Sequence, residues 1–252
     1  MSGRVVLVTG GTRGIGRAIA EAFLAVGDTV FVCGRKAPES PPEIGGVQAT
    51  YVQADVRDPA SAQAAVSQIV AAQGRLDVLV NNAGGSPYAL TADASPRFLS
   101  AIIDLNLTAP LLMARLANAA MQPAGGGVII NIASVSGTRP SPGTAAYGAA
   151  KAGLLNATRS LAVEWAPKVR VVAVTVGLVE TEASHLHYGD AAGVARVAAT
   201  VPAGRMATPK DVAGACVFLA GPDASYVNGA SLTLDGGGER PAFLDAARDD
   251  SK

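Results

Sequence analysis

The sequence predicts an α/β fold of Rossmann type, a doubly wound seven-stranded parallel sheet with helices on both faces. Three observations carry this expectation. Short β-branched runs alternate with longer Ala-rich stretches, the runs are apolar throughout, and the first of them ends in a glycine-rich turn that leads at once into a helical pattern. Alternating strands and helices are the mark of parallel strands joined by crossover helices. Strands with no polar face must be buried on both sides.

The runs lie at residues 4–9 (RVVLVT), 29–33 (TVFVC), 48–54 (QATYVQA), 76–80 (LDVLV), 127–133 (GVIINIA), 169–175 (VRVVAVT) and 231–235 (SLTLD). Helical stretches fall near 14–26, 58–73, 96–121, 147–165 and 209–220. Two segments break the rhythm. Residues 35–46, RKAPESPPEIGG, hold three prolines and two glycines, which exclude a regular helix and predict a loop between the second and third strands. Residues 182–203 form a long insertion after the sixth strand, placed where a lid over a site would sit. The expected organisation is one domain over residues 1–240, with a weakly ordered tail at 241–252.

The 252 residues carry 20 basic and 20 acidic side chains, so the overall charge favours neither a polyanion nor an anionic membrane surface. The partners expected are small molecules and further copies of the chain, not nucleic acid or membrane. The start MSGRVVLVTGG has too few consecutive apolar residues for a signal-peptide core, and a cytoplasmic protein is expected. Cys33 and Cys216 sit in apolar runs without a Cys or His at ligand spacing, which reads as buried thiols and no metal site.

The turn after the first strand reads Thr9 to Gly16, TGGTRGIG. Glycines at 10, 14 and 16 allow a sharp turn and a close approach of phosphates to the backbone. The following helix offers free N–H groups and the positive end of its dipole. In this context a dinucleotide site outweighs a plain turn, with Gly10, Thr12, Arg13, Gly14, Ile15 and Gly16 contacting the ligand. At the end of the second strand a carboxylate would bind a ribose hydroxyl and reject a phosphate. Here the residues are Gly34, Arg35 and Lys36. Two cations there, with Arg13 in reach, predict NADP(H) in preference to NAD(H), against the plainer reading that Arg35 and Lys36 solvate a loop.

Residues 145–153, AAYGAAKAG, place Tyr147 and Lys151 one turn apart on a helix face. An ammonium beside a phenol favours the phenolate and suits the pair to proton exchange near neutral pH. On the nonapeptide alone, a buried Tyr and a surface Lys would be the better reading.

Together these residues resemble the short-chain dehydrogenase/reductase family in its compact single-domain branch. The resemblance runs from Val5 to about Gly238. It rests on TGxxxGxG at Thr9 to Gly16, the Asp55–Val56 pair, Asn81–Asn82–Ala83–Gly84, Asn106, Ser134, and Tyr147 with Lys151. It implies that Tyr147 is general acid in reduction and general base in oxidation. Lys151 would lower the phenol's pKa and hold the nicotinamide ribose, Ser134 would orient the substrate oxygen, and Asn106 would hold a water in a proton relay. Cofactor contacts are further implied for Asp55, Val56, Asn82, Ala83, Gly84, Gly177, Val179 and Thr181. Each has a plainer alternative: Asp55 as a helix cap, Asn106 as a backbone-bonding amide, Asn81 as a tie between strands, Ser136 as the relevant hydroxyl in place of Ser134.

The chain departs from the family at Val176–Gly177, where Pro–Gly is usual, and in the loop 35–46, which stands where many relatives have a helix. The expected activity is hydride transfer between NADPH and a ketone or aldehyde, or the reverse from a secondary alcohol. Leu178, Leu186, Tyr188 and Val194 point to a hydrophobic substrate, and His185 and His187 to solvent or substrate contact. The competing readings are a non-catalytic NAD(P)-binding regulator and a nucleotide-sugar epimerase or dehydratase of related fold. The family resemblance also implies a homotetramer or homodimer.

Overall fold

β1 (Val5–Thr9) is buried at every position. It pairs in parallel with β2 (Thr29–Gly34) on one side and, on the other, with a strand from the middle of the chain. The computed structural model describes residues 3–182, 184, 189–239, 241 and 243. The remaining strands are a short hairpin of β3 (Glu43–Ile44) and β4 (Val47–Gln48), then β5 (Thr50–Gln53), β6 (Val78–Asn81), β7 (Gly127–Ser134), β8 (Val169–Val176) and β9 (Ser231–Leu234). The main sheet has seven parallel strands in the order β5-β2-β1-β6-β7-β8-β9. The chain builds outward from β1 through β2 to β5, then returns to β6 on β1's other side. That reversal opens a crevice at the carboxyl ends of β1 and β6, where sheets of this kind bind ligands.

The seven apolar runs of the sequence are the seven strands of this sheet, and the register explains their composition. Val5 and Leu7 face one core with Ala62, Val66 and Ile69 of α2 (Pro59–Gln73) and Met113, Ala117 and Met121 of α4 (Ala109–Met121). Val6 and Val8 face a second core with Ile19, Ala20 and Phe23 of α1 (Gly14–Ala25) and Val212, Cys216 and Leu219 of α7 (Pro209–Ala220). Odd and even positions of β1 from Val5 to Val8 each have a hydrophobic partner layer, which explains why the run is apolar on both faces.

Helix ends follow local chemistry. Asp58 caps α2 by accepting from Ala60 N–H, with Pro59 at the first helical position and Gly74 at φ +73° closing it. Thr208 and Asp211 form a reciprocal capping box at the start of α7. α5 (Ala145–Trp165) begins two residues before the predicted start.

Two predicted elements differ in detail. The helical stretch 96–121 is interrupted: α3 (Pro96–Ile103) passes through a π-helical turn, Asp104–Thr108, into α4. Its length and apolarity would suffice for a membrane span, yet in this fold its buried side chains pack onto the sheet and α2. The loop 35–46 is mostly irregular, as its prolines require, but ends in the β3–β4 hairpin over Gly45 and Gly46, both at positive φ. Within the insertion after β8, α6 (Ala191–Thr200) is capped by Asp190. His185, Leu186, His187 and Tyr188, and most of the predicted tail, lie outside the described residues.

Candidate active site

The glycine turn is built for close contact. Gly10 and Gly14 have φ of +61° and +53°, a region that side chains oppose. A Cβ on Gly16 would stand 2.3 Å from the Gly10 carbonyl oxygen and 2.5 Å from Asn82 Nδ2, so the helix start is pressed against the turn. The Thr9 hydroxyl accepts N–H bonds from Asn82 and Ala83, both 3.0 Å, and Asn82 Nδ2 donates to the carbonyls of Thr9 (2.9 Å) and Gly10 (3.2 Å). The Asn82 side chain thus braces the turn rather than reaching into the crevice. Asn81 acts as a tie: its amide donates to the carbonyl of Pro110 and to Asn131 Oδ1 on the next strand.

Arg13 precedes α1 and no side chain of its own caps the helix. Among the described residues, apart from the neighbouring backbone, a Cβ on Gly14 would meet only the Glu182 carboxylate, at 3.8 and 4.0 Å. Glu182 Oε1 accepts the Gly14 N–H at 3.1 Å. A glycine turn leading into a helix, with the Gly14 N–H already donating to an anionic oxygen, fits the phosphates of a dinucleotide.

A crevice of about 1160 Å³ continues from this turn along the carboxyl ends of β1 and β2. Arg13, Arg35, Lys36, Asp55 and Arg57 line it. Among the described residues Arg13, Arg35 and Lys36 enter no ion pair. Asp55 does: Arg57 grips its carboxylate through Nε (3.0 Å) and Nη2 (2.7 Å), and this holds the carboxyl down to about 2. Asp55 is therefore not the cap of α2, which is Asp58. Val56 is buried beside it. The partnership of Asp55 with Arg57, two positions on, was not foreseen from the sequence. Nor was the role of Arg17, which pairs with Glu21 and donates to the carbonyls of Ser40 (3.1 Å) and Pro41 (3.3 Å), fastening the proline-rich loop to α1. Cys33 and Cys216 are buried thiols as expected, with pKa values pushed up to about 12 by desolvation.

Gly84 lines the crevice; Asn106 and Lys151 lie close to it, and Tyr147 is one helical turn from Lys151. Tyr147 and Lys151 lie on the first turns of α5, with Lys151 Nζ 5.5 Å from the centroid of the phenol ring. Unlike the surface lysine of the plainer reading, Lys151 is 3% exposed. Its Nζ donates to the Ile132 carbonyl at 2.8 Å, and burial pushes its pKa down to about 8. Asn106 sits in the π turn, fully buried. Its Oδ1 accepts from Gly85 N–H and its Nδ2 donates to the carbonyls of Gly85 and Ile102, all at 2.9 Å. π turns of this kind frequently mark functional sites. A Cβ on Gly84 would fall 2.7 Å from Asn106 Oδ1 and 3.4 Å from Lys151 Nζ, so only glycine lets this loop pass between them. Ser134 ends β7, its Oγ accepting from Ser136 N–H at 3.2 Å.

After β8, Gly177 N–H bonds the Leu234 carbonyl and a Cβ at Gly177 would strike Asp235 at 2.8 Å. Val179 bridges to Ala207, and Thr181 N–H donates to Ser184 Oγ at 2.8 Å. Glycine alone satisfies this turn, so its geometry holds with Val176 in place of the usual proline.

Comparison with known proteins agrees with this arrangement. Residues 10–239 match the family model described as Enoyl-(Acyl carrier protein) reductase. The D-threitol dehydrogenase of Mycolicibacterium smegmatis is 36% identical over 243 residues, 94% of this chain and 93% of that protein. The 3-oxoacyl-acyl-carrier-protein reductase FabG of Salmonella typhimurium is 37% identical over 238 residues, 93% of this chain and 97% of that one. The solved ligand-free aldohexose dehydrogenase of Thermoplasma acidophilum superposes with a TM-score of 0.87 at 30% identity, over 99% of this chain and 97% of that chain. A sheet that reverses at β1, a glycine turn opening a helix, and a Tyr–Lys pair one turn apart on α5 thus coincide with relatives along the whole chain, and the protein belongs to the short-chain dehydrogenase/reductase family, oxidoreductases that act on CH–OH or C=O groups.

Proposed function

We propose that the chain reduces a ketone or aldehyde with NADPH, or oxidises the matching secondary alcohol, with Ser134, Tyr147 and Lys151 as the catalytic residues. The nicotinamide, when bound, supplies or takes the hydride; the protein handles the proton. Tyr147 gives its phenolic proton to the carbonyl oxygen during reduction and takes the hydroxyl proton in oxidation. Lys151 stabilises the phenolate and, with its pKa lowered to about 8, exchanges a proton with it at modest cost. Ser134 orients the substrate oxygen by hydrogen bonding. Asn106 positions the Gly84–Gly85 loop and holds the relay water.

The observation that carries this reading is the burial of Lys151. Keeping an ammonium 3% exposed works against folding, and its place one turn from a phenol serves proton transfer, which binding of the cofactor alone does not require. Arg13, Arg35 and Lys36, unpaired among the described residues, support NADPH over NADH. The contacts of Asp55, Val56, Ala83, Gly84, Gly177, Val179 and Thr181 with the cofactor belong to the same proposal. The substrates named for the relatives run from a polyol and a sugar to an acyl-carrier thioester. For this chain, Leu178, Val194 and the exposed Tyr88 favour a hydrophobic carbonyl compound.

The test is a screen of ketones and aldehydes against NADPH, followed by loss of nicotinamide absorbance. Tyr147→Phe should abolish turnover, by about 10²-fold or more, while NADPH binding is kept. Turnover that survives this change would remove the phenol from the mechanism.

A further inference from the structure

The anion position at the start of α1 already has a charged claimant within the chain. Glu182 follows the candidate carboxamide contact Thr181, and its Oε1 accepts the Gly14 N–H at 3.1 Å. Gly14 is the first residue of α1, whose N-cap, Arg13, provides no side-chain acceptor. Among the described residues, apart from the neighbouring backbone, no other heavy atom comes within 4 Å of the space a Gly14 Cβ would fill. A carboxylate on a helix N-terminus is favourable, through both the N–H bond and the helix dipole. Those are the interactions on which a dinucleotide's phosphates depend.

We propose that Glu182 is an internal competitor for the pyrophosphate, setting cofactor affinity by occupying the phosphate donor until it is displaced. The proposal rests on the dinucleotide reading above. One N–H cannot fully serve two anions, and a carboxylate left beside a pyrophosphate would repel it. Binding therefore evicts the Glu182 side chain from Gly14. Because Glu182 lies on the segment leaving β8, the eviction also unfastens that segment from the glycine turn. The tie spans 168 positions of sequence and joins the two sides of the crevice mouth. Affinity for the cofactor is lowered by the free energy of the tie, and movement of the Thr181 segment is coupled to phosphate binding.

Glu182 is exposed, so its replacement leaves both cores intact. The experiment measures dissociation constants by titration calorimetry for wild type, Glu182→Gln and Glu182→Ala, with NADPH and with adenosine 2′-monophosphate. The second probe fills the adenosine end and has no pyrophosphate. Both variants should bind NADPH about fivefold more tightly, equivalent to ~1 kcal/mol, and adenosine 2′-monophosphate as wild type does. Unchanged or weaker NADPH binding, or an equal gain for both probes, overturns the competitor role while leaving the dinucleotide reading in place. Failure of wild type and both variants to bind NADPH or NADH would overturn that reading and this one with it.

Discussion

The burial of Lys151 gives the fold a pH dependence that can be measured without any substrate. Burial lowers its pKa from 10.5 to about 8. The unfolded chain therefore holds this proton more tightly than the folded one, and unfolding is favoured wherever the unfolded lysine is charged. The penalty is fully present below about pH 8, shrinks as pH rises, and disappears above about pH 10.5. At 1.36 kcal/mol for each pH unit, the penalty at pH 7 is about 3 kcal/mol, and about 2–3 kcal/mol of it is relieved by pH 10. Lys151→Met removes the titrating group but keeps a long unbranched side chain, and it also leaves the Ile132 carbonyl without its 2.8 Å donor. That loss does not depend on pH and cancels when the difference between wild type and variant is followed across pH. Urea denaturation of both proteins at about pH 7 and pH 10, at one fixed protein concentration and with no cofactor added, gives the quantity required. Wild type should gain on the variant by about 2–3 kcal/mol over that interval. A difference that stays constant, or moves the other way, would show that the Lys151 ammonium is not desolvated in the fold and would withdraw the main support for the proposed chemistry.

Two further outcomes follow from the crevice and the surface. Arg35→Ala should weaken NADPH binding by about 10–100-fold, the loss of one charge-assisted phosphate contact, and leave NADH binding within about twofold. Equal effects on the two cofactors would assign Arg35 to solvation of the loop. Val163, Phe218, Tyr226 and Leu232 are exposed apolar side chains on α5, α7 and β9 or the loop before it. A homotetramer would bury them between copies, and light scattering at micromolar concentration should then give four times the chain mass. A stable monomer would contradict this assembly.

Most of the sheet was legible because the hydrophobic pattern and the fold are one constraint: a strand with a core on each face is apolar on both, as β1 is from Val5 to Val8. The glycine turn was legible because Gly10, Gly14 and Gly16 each answer a local requirement of conformation or space. The π turn at Asp104–Thr108 was not, since periodicity cannot register one extra residue within a helical stretch that continues on both sides. The hairpin at Glu43–Gln48 was hidden in a segment whose prolines announce only irregularity. Roles that depend on contacts between distant positions, such as Glu182 with Gly14 or Arg17 with Ser40 and Pro41, leave no local trace in the sequence. The burial of Lys151 belongs to the same class: AAYGAAKAG reads identically whether its lysine is wet or dry. What the residues alone left open at Asp55 is decided by a neighbour two positions on, Arg57, which claims the carboxylate, while Asp58 takes the helix.

The segment from Arg35 to Gly46 hangs outside the main sheet, attached to α1 by the Arg17 guanidinium and closed by a hairpin of two residues a side. The groups proposed to move the proton sit on β7 and α5, on the far side of β1 from it. A lineage can therefore exchange the cations at the adenosine end, lengthen that stretch or rebuild it as a helix, and so change the redox pool it draws on, while the geometry around the phenol is inherited unaltered.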